Sequence, residues 1–365
     1  MKAVIPCAKK KEDMFPFSET KPTALMPVMD RPIVKHLIKQ LQSVGVDEIY
    51  LVTNHLEEQF EDFFSEYTNV NVVHQEELEG TGAAVETCDF IEEDFFVVNG
   101  DVMVSENDLA NLKESHERGS SSVTLLAAKG DQPEKFGVLS ITNDRVNSLE
   151  EKPEKPDNAL VNTGIYLFTP EVFSTLGELE DEKSLTDAVR SMVDEDGARF
   201  ELIEDYWMDI GDPKKLWKAD RLKRDEIDET SIHDEAEVHE SAEITGEAVI
   251  DEGAVLKQGA VLEGKVYLGK NAVVGPNSVV RDSTVSRDSA IRNASVEDAL
   301  LFDENIVDPH VHLENCIIGE ESDIKSGTVI RESFIGARSF IEMNNSIYGT
   351  KFVPDARTDL SELSK

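Results

Sequence analysis

Basic residues are scarce in this chain: 36 lysines and arginines stand against 75 aspartates and glutamates, a formal net charge of -39. A surface of that sign repels phosphate backbones and anionic headgroups, which argues against nonspecific binding to nucleic acid or membrane. Cysteine is rare too. Cys7, Cys88 and Cys316 are odd in number and lack paired metal spacing, so neither a disulfide framework nor a zinc knuckle is indicated, and a reduced compartment fits. No apolar run approaches the ~18 residues of a membrane span. The opening run is too short for a secretory leader and meets lysines on the wrong side, so a soluble, cytoplasmic protein is expected.

What is present suffices for two domains: 365 residues, 39 % of them hydrophobic, can bury sizeable cores. The acidity runs through both halves instead of forming a tail. That distribution suits a protein kept soluble in concentrated salt, and a halophilic source is expected; an acidic face for a basic partner is the alternative.

The first half alternates strands and helices. Ala3 to Ala8 reads as a buried strand ending in a long loop, and Asp30-Arg31-Pro32 offers an N-cap to a helix with Ile33, Val34, Leu37, Ile38 and Leu41 on one face, closed by Gly45. Glu48–Val52 and Val70–His74 read as strands, with a helix over His55 to Tyr67 between them, and Phe95–Val98 as a buried strand. This order implies a mainly parallel sheet with right-handed crossovers. A loop after the first strand of such a sheet is where phosphate-bearing ligands are held, so Lys9, Lys10 and Lys11 are candidate phosphate contacts; a solvated turn is the other reading. Asp101 follows the buried strand at the same edge, where a carboxylate can hold Mg2+ bridging phosphates; an ordinary Asn-Gly-Asp turn is the alternative. The closing helix carries Lys214, Lys215, Lys218, Arg221, Lys223 and Arg224, read as a linker helix pairing with acidic neighbours.

Several segments in one order resemble the sugar-1-phosphate nucleotidylyltransferases of archaeal type. They are the loop with Pro16, Glu19-Thr20 and Pro22 running to Leu25-Met26-Pro27-Val28, Gln75 before Gly80-Thr81-Gly82, Asn99-Gly100-Asp101, and Lys135-Phe136-Gly137-Val138. Glu150-Glu151-Lys152-Pro153, Val161-Asn162-Thr163-Gly164-Ile165-Tyr166 and Trp207-Met208-Asp209 follow. The resemblance implies transfer of a nucleotidyl group from a nucleoside triphosphate to a sugar 1-phosphate, with release of pyrophosphate. It implies Mg2+ on Asp101 and Asp209, the base near Gln75, Gly80 and Thr81, and the sugar near Gly137, Glu151, Asn162 and Gly164. Lys152 would lie on phosphate as a catalytic cation. The loop departs from the family at four functional positions: Lys9 and Lys11 stand for glycines, Asp13 for the catalytic arginine and Thr23 for a lysine. An aspartate there repels a triphosphate, and a flexible ammonium does not reproduce a bidentate guanidinium.

From Ile232 the pattern changes to a period of six. Ile232, Val238, Ile244, Ile250, Leu256, Leu262, Leu268, Val274 and Val280 are aliphatic, and each unit's fifth place is small or β-branched. Such a repeat stacks short strands into a coil around an aliphatic axis, and it resembles the hexapeptide left-handed β-helix. The period slips near Val285 and Ile291, where loops are expected to leave the coil. Some relatives of this arrangement acetylate a sugar amine, with a catalytic histidine in a segment resembling Asp308-Pro309-His310, but a solenoid or loop histidine is the favoured reading here.

The expectation is therefore a Rossmann-like α/β nucleotidyltransferase domain over residues 1–228, a left-handed parallel β-helix over 229–352 and a polar tail over 353–365. Three functions stand: the nucleotidylyltransferase, a regulatory or binding subunit that kept the sugar half of the site, and a sugar N-acetyltransferase. Association through the β-helix is expected, with itself or with a competent paralogue, and neither nucleic acid nor membrane is a partner.

Overall fold

The computed structural model describes residues 1–76, 80–143, 145–179 and 183–358. The chain forms two compact units that interleave along the sequence. One holds Met1–Lys10, Pro22–Leu25 and Ile33–Asp209, the other Lys11–Lys21, Met26–Pro32 and Ile210–Lys365.

In the first unit the strands are β1 (Lys2–Pro6), β2 (Glu48–Thr53), β3 (Val70–His74), β4 (Phe95–Val98), β5 (Val102–Val104), β6 (Val123–Lys129), β7 (Gly137–Thr142), β8 (Arg145–Glu151), β9 (Leu160–Phe168), β10 (Arg199–Leu202) and β11 (Trp207–Asp209). The main sheet runs β8-β7-β9-β4-β1-β2-β3, with β6 beside β9 and β10 beside β6. Its β4-β1-β2-β3 half is parallel as expected. The sheet as a whole is mixed, because β9 and the β7–β8 hairpin enter antiparallel.

The helices are α1 (Ile33–Ser43), α2 (Glu57–Phe64), α3 (Thr81–Glu86), α4 (Glu106–Glu117), α5 (Glu171–Gly177) and α6 (Leu185–Asp196). Strand side chains alternate between faces, so β1 feeds two cores. Ala3 and Ile5 join the apolar faces of α1, α2 and α4, while Val4 joins those of α3, α5 and α6. The five residues predicted for the buried face of α1 are all buried, and Gly45 after it takes φ +91°. Helix α2 is shorter than expected because Leu56 adopts a left-handed φ of 53° just before it.

The second unit is a coil of short parallel strands with helix α7 (Pro213–Asp225) against it. Every pairing between successive coils is parallel, consistent with the expected left-handed β-helix, and the aliphatic ladder from Ile250 to Ile347 fills one continuous core. The first rungs, Ile232 and Val238, stay exposed at the start of the coil.

The slips are not loops. Facing residues are 18 apart where Val261 lies opposite Glu243, 17 where Thr284 lies opposite Tyr267, 16 where Ser295 lies opposite Val279, and 17 again from His312 opposite Ser295. A corner loses one or two residues and the winding continues. Asn277, Asp282, Asp288, Asn293 and Asp298 turn these corners with positive φ, a conformation that Asn and Asp tolerate better than other non-glycine residues. Winding also runs past the expected start of the tail, since Arg357 bridges to Phe340 and the Thr358 amide donates to the Phe340 carbonyl. The rest of the expected tail, 359–365, lies outside the described residues.

Two segments from early in the chain belong to this second unit. Pro27–Val28 and Arg31–Pro32 form a hairpin through Met29 and Asp30, whose φ values of 48° and 58° suit a tight two-residue turn. Asp30 therefore does not cap α1. It is buried beside Arg287, with Nε 3.4 Å from its Oδ1. Helix α7 is fixed by a buried pair, Arg224 Nε to Asp220 Oδ2 at 2.9 Å. Asp220 also accepts from the Met29 amide and the Thr284 hydroxyl, which satisfies its remaining lone pairs. Among the described residues no helix is long and apolar enough to cross a membrane.

Candidate active site

Strand β1 lies between β4 and β2, so the chain winds outward on one side and returns on the other. The crevice outside the carboxyl ends of β1 and β4 is the sheet's switch point, where ligands bind in open α/β sheets. From β1 issue Cys7, Lys9 and Lys10; from β4 issues the turn Asn99-Gly100-Asp101. The two ends touch: the Gly100 amide donates to the Pro6 carbonyl at 3.2 Å, and any side chain at Gly100 would collide with the Cys7 sulfur. Burial, and the charge of Asp101 behind it, pushes the Cys7 thiol up, so it stays protonated.

Past the turn, β5 pairs with β11 and sets Asp209 opposite Val102, the residue after Asp101. Facing residues of an antiparallel pair lie ~5 Å apart at Cα. The ladder thus brings Asp209, from the far end of the unit's sequence, opposite the residue that follows Asp101. The Trp207 indole holds that ladder to β9, its Nε1 donating to the Thr163 carbonyl at 3.1 Å. Among the described residues no group of three or more His, Cys, Asp or Glu gathers as a metal cage. The donors here are hard carboxylate oxygens beside a neutral thiol, which fits a divalent cation of the Mg2+ class better than a soft metal.

A second group of candidates sits on β7, β8 and β9. Gly137 faces Glu151 across the hairpin, and a methyl at Gly137 would stand 3.0 Å from Glu151 Oε2 and 3.6 Å from the Asn162 Cβ. Asn162 and Gly164 occupy an irregularity in β9, where the register shifts between Asn162 and Tyr166. Asn162 is buried and oriented: its Nδ2 donates to the Tyr166 hydroxyl at 2.5 Å and its Oδ1 accepts from the Gly164 amide at 3.3 Å. The Gly164 carbonyl in turn accepts from the Asn99 amide at 3.2 Å, so this group is tied to the turn bearing Asp101. Lys152 has φ +46°, its amide bonded to the Phe136 carbonyl. Its ammonium is largely exposed, 3.8 Å from Glu151 Oε1. Asn99, Trp207 and Tyr166 were not singled out as site residues, although the Asn-Gly-Asp and Asn-x-Gly-Ile-Tyr segments contain two of them.

The third group is arranged differently. Gln75 is buried, its carbonyl accepting from Asn54 Nδ2 at 2.8 Å and its Nε2 donating to the Gly80 carbonyl at 3.4 Å. Gly80 has φ +106°, and a methyl there would stand 2.7 Å from the Lys183 carbonyl. That carbonyl accepts from the Gly82 amide at 2.7 Å, and the Thr81 hydroxyl accepts from the Leu185 amide. The glycines of this turn are thus explained by close packing on Lys183 and Ser184. Residues 77–79, just before it, lie outside the described residues.

The long loop divides. Lys9 and Lys10 end the first unit's opening segment, whereas Lys11 to Lys21 belong to the second. There Phe17 is buried with its ring 5.3 Å from Phe302 and 6.4 Å from Phe334, and Lys21 lies 3.9 Å from Glu320. Asp13 is exposed on the short turn Glu12–Met14. His310 is an exposed corner residue with φ +64°, its amide donating to the carbonyl of Asn293, a corner residue of the preceding coil. Its position follows from the winding.

Residues 12–226 match a family model described as nucleotidyl transferase, and residues 275–359 one described as GlmU-like, C-terminal hexapeptide. A bifunctional protein GlmU of Methanocaldococcus jannaschii is 32 % identical over 233 residues, 62 % of this chain and 55 % of its own. A bifunctional sugar-1-phosphate nucleotidylyltransferase/acetyltransferase of Sulfurisphaera tokodaii is 29 % identical, over 61 % of this chain and 56 % of its own. The low-salt glycan biosynthesis nucleotidyltransferase Agl11 of Haloferax volcanii is 28 % identical, over 61 % and 66 %. The chain spans about half to two thirds of the length of these relatives. Among solved structures, a Bacillus anthracis protein described as a glucose-1-phosphate thymidylyltransferase, in complex with a sucrose, superposes with a TM-score of 0.58. Its identity is 26 %, over 62 % of this chain and 96 % of that one. With the strand order, the pairing of β5 with β11 and a family model matching more than half of its length, the chain belongs to the nucleotidyl transferase family.

Proposed function

We propose that the protein is a sugar-1-phosphate nucleotidylyltransferase, joining a nucleoside triphosphate to a sugar 1-phosphate and releasing pyrophosphate. The observation that carries this reading is the β5–β11 ladder, which sets Asp209 opposite the neighbour of Asp101. In this reading Asp101 and Asp209 would hold Mg2+, whose charge would offset that of the phosphates. Lys152 supplies a point charge to the sugar phosphate, while Glu151 and Asn162 accept from and donate to sugar hydroxyls. Gly137 and Gly164 keep side chains out of that space. Gln75, Gly80 and Thr81 bound the base, and Lys9 and Lys10 take the phosphates in place of the family's loop. A sugar phosphate oxygen attacks the α-phosphorus in line, and pyrophosphate leaves with the electron pair of the broken P–O bond. No covalent bond to the protein forms. Association through the β-helix, with itself or an active paralogue, belongs to the same proposal.

A second reading is favoured by one observation. Asp13 stands where the family keeps its catalytic arginine and Thr23 where it keeps a lysine, and this suits a binding or regulatory subunit. Pyrophosphate release with Mg2+ in concentrated KCl, over UTP, dTTP and GTP against a panel of sugar 1-phosphates, separates the two. Turnover lost in Asp101→Ala identifies the enzyme. Absence of turnover with sugar nucleotide still bound identifies the subunit.

A further inference from the structure

Between helix α7 and the late coils of the solenoid, wholly within the second unit, lies a cleft of about 550 Å³. That volume suits one small ligand. Lys214, Trp217 and Lys218 line one wall, at the i, i+3 and i+4 spacing that puts them on one helix face. Phe334, Thr350 and Lys351 line the other. The indole is fixed, its Nε1 donating to the Asp298 carbonyl at 3.0 Å.

Three ammonium groups on one cleft are unusual in a chain with twice as many acids as bases. Other bases of α7 pair with acids: Arg221 with Asp298, Lys223 with Glu226, and Arg224 with Asp220. Among the described residues Lys214, Lys218 and Lys351 have no carboxylate within ion-pair distance. The Lys351 ammonium lies instead 5.9 Å over the Phe334 ring. The one acid lining the cleft, Glu332, accepts a hydrogen bond from the Tyr348 side chain. Unspent positive charge beside two aromatic side chains matches an anion that carries a planar ring.

We infer that this cleft binds a nucleoside phosphate, with the base against Trp217 and the phosphates on Lys214, Lys218 and Lys351. Inorganic phosphate would leave the aromatic wall unused. A nucleic acid strand would have to approach a protein of net charge -39 with every further phosphate repelled. A single nucleotide uses both the charge and the ring.

The chain has two tryptophans, Trp207 and Trp217, so Trp207→Phe makes Trp217 the sole reporter in the full-length protein. ADP titrated into that variant should change Trp217 fluorescence saturably at submillimolar concentration. Lys214→Gln combined with Lys218→Gln should raise the half-saturating concentration at least tenfold. Both lysines are exposed, so folding is not at risk. Equilibrium dialysis of labelled ADP with the double variant in the natural tryptophan background provides a second measurement, and the same site should be lost. A Trp217 signal that ADP leaves unchanged at millimolar concentration overturns the inference, as does ADP binding indifferent to the two lysines. Inorganic phosphate matching ADP would show that no base is read, and an oligonucleotide binding more tightly than ADP would show a nucleic acid site; either result also overturns it.

Discussion

Gly164 holds φ at +75° with its missing side chain directed at the Asn99 side-chain Nδ2. Alanine there forces an L residue into a left-handed conformation and drives a methyl into the turn that carries Asp101. Gly164→Ala should cost about 1–3 kcal/mol, read from the urea midpoint, and pyrophosphate release should fall with it. Asp101→Ala should abolish turnover and leave that midpoint nearly unchanged, since the side chain lies at a ligand edge outside the apolar core. Asp303 carries a different signal. Burial, then the charge of Asp30, push its carboxyl up to about 6, against the opposing pull of Arg287 and Lys21. The folded protein holds this proton more tightly than the unfolded chain, whose carboxyl titrates near 3.8. Its contribution to stability is therefore complete below about pH 4 and is lost as the pH rises through 6. Asp303→Asn should gain on the parent protein across that window, with urea midpoints at several pH values as the measurement. Equal pH slopes for the two proteins would remove the assignment.

At the scale of elements, what could be read from sequence was local or periodic. The buried face of α1 follows from a 3.6-residue period within eleven residues, and the solenoid from a period of six repeated down the chain. The pairing that sets Asp209 opposite the neighbour of Asp101 could not be read from spacing, because a ladder between distant segments leaves none. The docking of Lys11 to Lys21 left less. Phe17 meets Phe302 and Phe334, and no property of a single phenylalanine names its partners. Asp30 misled for a related reason: an N-cap pattern is local, whereas its actual partner, Arg287, lies far along the chain. The slips at Val285 and Ile291 read as insertions because a period counts residues, while the coil can turn a corner with one residue fewer. Phe17→Ala tests the docked loop. Removing a buried aromatic costs about 3 kcal/mol, more than a short loop retains by other means. Tryptic cleavage after Lys10 or Lys11 should quicken at least tenfold while the rest of the chain resists. Cleavage at the parent rate would mean that Phe17 does not hold the segment.

At the scale of the whole molecule the governing quantity is a net charge of -39 spread over both halves. Like charges crowd when the chain folds, so the compact state carries a repulsion that the expanded state largely escapes. Salt acts on this in a definite direction. The screening length falls from ~10 Å at 0.1 M to ~3 Å at 1 M, so repulsion between surface carboxylates is largely removed. Salt also weakens the exposed ion pairs, such as Lys270 with Glu252 and Arg281 with Glu263, but pairs of that kind contribute only ~0–1 kcal/mol each. The buried pair of Arg224 and Asp220 is shielded from added ions. Repulsion should dominate, and the urea midpoint should rise steadily between 0.1 M and 2 M KCl. Urea is the suitable denaturant because it adds no ions of its own. The rise should shrink in a variant with several exposed acids of one solenoid face, such as Glu235, Glu237 and Glu240, changed to glutamine. A midpoint that stays flat or falls with KCl would mean that the acidic surface does not serve concentrated salt, and would leave a basic partner as the reason for the charge.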